Sequence, residues 1–369
     1  MASTAAMLSS PGMHIACSDK PVIALCLYGL VRAVEMILPT FQTNVHTPLK
    51  AAGGTDLFLH TLLLGSISNR RSGEQAARLS PGAFMGFRSA CRYTVEDQGA
   101  ADVAITQSVR PPKRLTGYNY DNSTIANLLR AAYSLEKVAN LAKIHEMEGA
   151  FRYRVVVAAR PDTAFLTPLP HATISTMLNS SGNASTISVP NFHHWRGVND
   201  RFAIGERSAM LDVYMQKLST INEQTHGNSE LILCQALKRK RIMVSVFSFC
   251  VVRVRANGKC NSLELNRRLN YAERPTCMRS LYAHSGVAVA GRGPCSRKTC
   301  SKRYLLMNDS KGSRPVWKQS MDAFNEMFFS HHTEGSRQQQ LLQWQQNATE
   351  LSMAYLRSHT KRLRDNSMR

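Results

Sequence analysis

The chain has 369 residues, with 46 Lys and Arg against 25 Asp and Glu, for a formal charge of +21 and a pI of about 9.9. With 43% hydrophobic and 19% charged residues and a mean hydropathy of −0.25, it has the apolar material to close a core, which excludes a disordered polycation. The length fits one large domain, or one domain with an appendage, and the charge draws anions of every kind: nucleic acids, phosphate-bearing small molecules and anionic membranes.

Residues 1–20 are small and polar and read as a flexible segment. Val22 to Tyr28 is a continuous apolar run with the length of a buried strand, ended by Gly29. Leu30 to Leu38 then reads as a helix and Asp56 to Leu63 as a second buried strand, a β-α-β opening that predicts a parallel sheet. Gly65 to Lys113 has weak periodicity and reads as a long connection with short elements. From Ile125 to Ile144 apolar residues recur every three or four positions, the mark of an amphipathic helix, with Asn122 or Ser123 as cap and Gly149 beyond its end.

Tyr153 to Ala159 is a third buried strand, stopped at Arg160-Pro-Asp-Thr163 because proline has no ladder donor. After Ile187 to Phe192 comes a polar segment, His193 to Arg201, and a short strand, Phe202 to Ile204. Gly205 to Leu218 and Ser229 to Lys238 read as helices, and Ile242 to Val254 is the strongest strand pattern in the chain. From Lys238 to Lys318 there are about 19 Lys and Arg against about 3 acids, so most of the excess charge is here. The organisation predicted is a folded domain over 21–258 and a basic, partly helical C-terminal extension over 259–369.

The best candidate for a membrane span, Pro21 to Phe41, is interrupted by Arg32 and Glu35, and Met1 to Gly12 lacks the basic and apolar regions of a signal peptide. No anchor or leader is therefore expected in these residues. Five Asn-x-Ser/Thr sequons, at Asn122, Asn179, Asn183, Asn308 and Asn347, point the other way, since only a secretory lumen would use them. The nine cysteines have no zinc-ribbon spacing; they read as ordinary thiols, with disulfides as the alternative among Cys260, Cys277, Cys295 and Cys300, and an odd number leaves at least one thiol free.

Ligands of open α/β sheets bind outside the carboxyl ends of strands, so Asp162 stands where a site is expected. His193, His194, Trp195, Asn199, Asp200 and Arg201 fall within nine residues on a loop. Trp195 can form a stacking wall, and Asp200 can act as a base toward a hydroxyl or as an ion-pair partner of Arg201. Glu230 opens a helix, where a carboxylate complements the dipole, and His284 lies in a basic loop. Adjacent on an extended loop, His193 and His194 would point apart and not share a metal.

The strings VIALCLYGLVR (22–32), TDLFLHTLL (55–63), LLRAAYSLEKV (128–138), YRVVVAARPDTAFLTPL (153–169), VPNFHHWRGVNDRFAIGERSAMLDVY (189–214) and VVRVRANG (251–258) resemble a glycosyltransferase-like family of algae, plants and large viruses. The resemblance runs from Ile23 to Gly258 and stops there. It implies an α/β, GT-A-like (Rossmann-like), mostly parallel sheet flanked by helices. It also implies transfer of a sugar from a nucleoside diphosphate sugar to a glycan or other hydroxyl acceptor. Tyr28, Gly29 and Arg32 would meet the nucleotide, Gly29 by close backbone approach and Arg32 by pairing with a phosphate. The loop with His194, Trp195, Asn199 and Arg201 would belong to the active site, Asp200 would be the catalytic base, and Glu230 the alternative base.

The same resemblance implies a divalent cation, Mn2+ or Mg2+, at the diphosphate, with Asp162 as a ligand. The usual acidic pair is broken, because Arg160 stands where the first acid would be. Either the metal has fewer protein ligands, or Arg160 itself faces the diphosphate, or the site is inactive. A Golgi or secretory location is implied for such enzymes. The alternatives are a basic polyanion or nucleic-acid binder, without a recognisable reading motif, and an inactive transferase-fold scaffold. No specific nucleic acid is expected as a partner; the basic surface suits peripheral contact with anionic surfaces.

Overall fold

The computed structural model describes residues 17–18, 21–69, 74–79, 82–87, 89–109, 122–180, 185–191, 193–194, 197–221, 228–249, 251–256 and 258. The elements run β1 (Pro21–Tyr28), α1 (Val34–Phe41), α2 (Thr47–Ala52), β2 (Gly54–Leu63), β3 (Ser66–Asn69), β4 (Glu74–Arg78), β5 (Arg92–Asp97), α3 (Gln98–Ser108), α4 (Asn122–Gly149), β6 (Val155–Ala159) and β7 (Thr163–Phe165). They continue with α5 (His171–Asn179), β8 (Thr186–Pro190), β9 (Phe202–Glu206), α6 (Arg207–Ala209), α7 (Lys217–Ile221), α8 (Ser229–Arg239), β10 (Met243–Phe247) and β11 (Val251–Arg253).

A seven-stranded sheet in the order β10-β8-β9-β6-β1-β2-β5 forms the centre. All of its pairings are parallel except those of β9, which runs antiparallel to β6 and β8. This is the mostly parallel, helix-flanked, Rossmann-like sheet expected from the sequence. β1 and β6 are apolar throughout because both of their faces are covered. Ala24, Cys26 and Tyr28 turn toward one layer, with Leu135, Val138, Ala139 and Ala142 of α4 and Leu233 and Leu237 of α8. On the other side Phe165 and Phe249 stack and Phe202 meets both edge-on, with ring centroids 4.9–6.1 Å apart.

Three stretches fold differently from their sequence pattern. The long connection contains β5 as an edge strand of the sheet and α3, which starts at an Asp97 cap accepting from Ala100 N at 3.1 Å. Gly205 to Leu218 is not one helix: β9 continues to Glu206, and a π-helical turn over Met210–Tyr214 follows before α7. Ile242 to Val254 is two strands, of which β10 joins the main sheet and β11 turns away to pair antiparallel with β7. Both halves are apolar, so the pattern carries no trace of the change of partner.

The cysteines also differ. Cys17 and Cys91 form a disulfide across 74 residues, Cys234 is disulfide-bonded, and Cys26 is a free, buried thiol. A disulfide thus lies within the α/β domain, whereas Cys260, Cys277, Cys295 and Cys300 are outside the described residues. Asn122 and Asn179 are exposed. No helix among the described residues is long and apolar enough to cross a membrane. The sequons at Asn183, Asn308 and Asn347, together with His284 and the whole of 259–369, lie outside the described residues.

Candidate functional site

The antiparallel strand creates the site. β9 starts beside the end of β6, with Phe202 paired to Ala159. The residues before β9, Asn199 to Arg201, are therefore brought against the turn after β6, Arg160 to Asp162. Tyr28 ends the neighbouring β1, and its hydroxyl donates to the carbonyl of Asp200. Three segments that are far apart in sequence converge at the carboxyl end of the sheet.

Asp162 is 1% exposed, and both of its oxygens accept from one guanidinium, Arg160 Nε to Oδ1 and Nη2 to Oδ2, each at 2.8 Å. Arg32 Nε lies 3.8 Å from Oδ2. Burial opposes ionisation of Asp162, but Arg160, with Arg32 and Arg253, holds its carboxyl well below the usual carboxylate range. β11 delivers Arg253 to this place: it pairs with Thr163, and Val254 N donates to Asp162 O at 2.9 Å.

Arg32 precedes α1, and its Nη1 donates to both oxygens of Glu74 at 3.0 and 3.1 Å. Glu74 also accepts from Ala256 N at 2.9 Å and faces Arg255 at 3.8 Å. Sequence reasoning passed over Glu74 because it lies in the stretch of weak periodicity. A signal was there, for it is the one acid among residues 65–95, in a segment rich in arginine.

On the other side of the cluster, Asp200 Oδ2 accepts from Lys217 Nζ at 2.9 Å and from the Ser229 hydroxyl. Burial opposes its ionisation, yet Lys217, Ser229 and Arg201 hold Asp200 below the ordinary range. Glu230 behaves in the opposite way. Its own burial, reinforced by the Asp200 charge, pushes it up to about 8 against the influence of Arg201 and Lys217. Two neighbouring carboxyl groups thus have their proton affinities driven apart. Lys217, hidden in a segment that reads as ordinary helix, is the residue the pattern did not reveal.

Glu230 sits in the first turn of α8, which Asn228 caps by accepting from Leu231 N at 2.8 Å. Gly197 rests against this turn: a Cβ there would lie 2.0 Å from the carbonyl carbon and oxygen of Glu230. Val198 N donates to that oxygen at 2.9 Å. The absence of a side chain at 197 therefore lets the loop touch α8.

Tyr28 is buried, which, with the Asp200 charge, raises its phenol far above the usual range and keeps it a neutral donor. Gly29 has φ +104°, a conformation other residues rarely adopt, and its N–H donates to Ser134 Oγ at 2.7 Å. Ser134 also donates to His60 O at 3.0 Å, so α4 fixes the end of β1. His194 is buried, and its Nδ1 accepts from Asn199 N at 3.2 Å. Asn199 Oδ1 accepts from Arg201 N at 2.9 Å, and its carbonyl from Tyr214 at 3.1 Å. These two side chains shape the loop. His193 has φ 56°, so the histidine pair is not on an extended segment. Trp195 lies outside the described residues.

A divalent cation fits poorly at Asp162. A metal ligand must offer a carboxylate lone pair, and both oxygens of Asp162 are directed at the Arg160 guanidinium. Among the described residues, the group with ligand atoms close enough to share an ion is Cys17, Cys91 and His145. It is remote from these turns, near Asp56 at the start of β2, and its two sulfurs are bonded to each other.

The sequence matches no protein-family model and no curated protein. Among solved structures it is similar to a candidate glucose-1-phosphate thymidylyltransferase from Bacillus anthracis in complex with sucrose, at 11% identity over 63% of this chain and 88% of the other, with a TM-score of 0.30. It is also similar to the apo form of mouse xyloside xylosyltransferase 1, at 10% identity over 62% and 84% of the two chains, with a TM-score of 0.31. At these low scores the architecture rests on the strand order and register of the chain itself.

Proposed function

We propose that this chain is a glycosyltransferase that binds a nucleoside diphosphate sugar at the carboxyl end of its sheet and passes the sugar to a hydroxyl acceptor. One observation carries this reading: the antiparallel β9 brings the Arg160-Pro161-Asp162 turn, the Tyr28-Gly29 strand end and the Asn199–Arg201 loop into one buried cluster. That cluster offers guanidinium groups for phosphate and a carboxyl group of raised proton affinity for a hydroxyl.

The chemistry divides between the two carboxyl groups. Asp200 is tied to Lys217 and Ser229 and is too weakly basic to take a proton near neutrality. Glu230, pushed up to about 8, holds its proton in most molecules at neutral pH. Its ionised form, which grows as pH rises toward 8, is the stronger base and is matched to accepting the proton of an acceptor hydroxyl. The acceptor oxygen then bonds to the anomeric carbon, the bond from that carbon to the phosphate oxygen breaks, and the electron pair leaves on the nucleoside diphosphate. Glu230 thus replaces Asp200 as the favoured base, and Asp200 becomes the anion that raises it.

The test is a panel of UDP-, GDP-, ADP- and CDP-sugars offered to the full chain, with release of the nucleoside diphosphate as readout, alongside thermal shifts with the free diphosphates. One diphosphate should stabilise the protein. Glu230→Gln should retain that stabilisation and lose turnover by at least about a hundredfold. A protein stabilised by no diphosphate overturns the reading.

A further inference from the structure

We infer that Arg160 and Arg32 neutralise the diphosphate of the donor in place of a divalent cation, so that donor binding by this protein is independent of metal. The inference rests on the transferase reading above and concerns how the same site holds its substrate. It starts from Arg160, which stands two residues before Asp162 in the turn after β6. Its guanidinium meets both oxygens of the Asp162 carboxylate, at 2.8 Å through Nε and through Nη2, and leaves Nη1 unused by that pair. The fork is held in one orientation before any ligand arrives. A rigid fork is the geometry that recognises phosphate oxygens in pairs.

Arg32 supplies the second point. Its Nη1 is fixed by Glu74, while its Nε is buried without a hydrogen-bond partner, at 3.8 Å from Asp162. A buried donor left unmet is unfavourable in itself and is relieved when an anionic oxygen enters. Lys217, Arg201, Arg253 and Arg255 add further cationic side chains around the carboxylates Glu74, Asp162 and Asp200. A divalent cation added to this cluster would have to break the Arg160–Asp162 pair to gain a ligand and would then sit among arginines.

The decisive measurement is calorimetric titration of the full-length protein with UDP, GDP, ADP and CDP, in excess EDTA and again in excess manganese. For the diphosphate that binds, the two Kd values should agree within about threefold. Arg160→Gln should weaken that diphosphate at least about tenfold, the loss of charge-assisted bonds, while leaving the matching nucleoside unaffected. Should Arg160→Gln fold poorly, Arg160→Lys keeps the charge and loses the fork, and should weaken the diphosphate by a smaller factor in EDTA. Binding that appears only with manganese overturns the inference and leaves the transferase reading standing. Metal-free binding indifferent to the Arg160 variants also overturns it. Failure of every diphosphate in both buffers removes the transferase reading itself.

Discussion

Arg160 and Asp162, two residues apart across a proline, form a two-pronged ion pair whose carboxylate is 1% exposed. Breaking it from one side leaves a buried charge, so Asp162→Asn is expected to cost about 3–5 kcal/mol. Because neutralising both partners removes that penalty, Asp162→Asn with Arg160→Gln should recover a good part of the loss. Urea denaturation of the two single variants and the double variant measures the coupling. Strict additivity would show that the pair is not coupled in solution.

Glu230 makes stability depend on pH. Its folded affinity for a proton lies near 8 against an ordinary value of 4.5, so the folded state holds the proton more tightly than the unfolded chain. The resulting stability is complete below the ordinary value and is lost as pH rises through about 8. Relative to Glu230→Gln, the wild type should lose up to about 1.4 kcal/mol per pH unit between these limits. Asp162 and Asp200, both held low, act oppositely, and their contribution disappears only on acidification below the ordinary carboxylate range. Thermal denaturation of both proteins from mildly acidic pH up to about pH 8 checks this. Parallel curves would contradict it.

Gly197 lies against the first turn of α8. Gly197→Ala puts a methyl group 2.0 Å from the Glu230 carbonyl, which forces the 197–201 loop away from the helix. A loss of at least about 1–3 kcal/mol is expected. Turnover should fall further than stability alone explains, because Asp200 is fixed to this helix through Ser229. The comparison of melting temperature with activity at a temperature where both proteins are folded separates the two effects.

The Cys17–Cys91 bridge closes a loop across 74 residues. By chain entropy such a crosslink contributes up to about 4 kcal/mol. Cys17→Ser and Cys91→Ser should therefore each lower the melting temperature, by similar amounts and without addition in the double variant. Peptide mapping without reduction should recover the two cysteines in one linked fragment. Free thiols at both positions would contradict this.

Much of the fold is legible in the sequence because several segments depend on nothing distant. The runs at 22–28, 56–63 and 153–159 are apolar from end to end, as strands covered on both faces must be, and the stripe from Ile125 to Ile144 can only be one face of a helix. The edge strand β5 and helix α3 were not legible, since Arg92–Asp97 buries little and α3 has a weak stripe with Gly99 in its first turn. The split of 242–254 was hidden for another reason. Strand pattern reports apolar character, and the partly buried β10 and the more buried β11 are both apolar although they belong to different sheets.

The site divides the same way. The sequence by itself marked the residue types, a turn of arginine, proline and aspartate after a buried strand and a polar loop before a short one. Local composition determines where chains turn and where polar groups collect. Tertiary structure alone decided their pairing and ionisation. The reversed direction of β9 set Asp200 beside Tyr28, and α7 and α8 brought Lys217 and Ser229 to its carboxylate. β4 supplied Glu74 to Arg32, and the depth of α8 in the core made Glu230 the carboxyl group that keeps its proton. Ionisation and pairing depend on distance and burial through space, which sequence order does not encode.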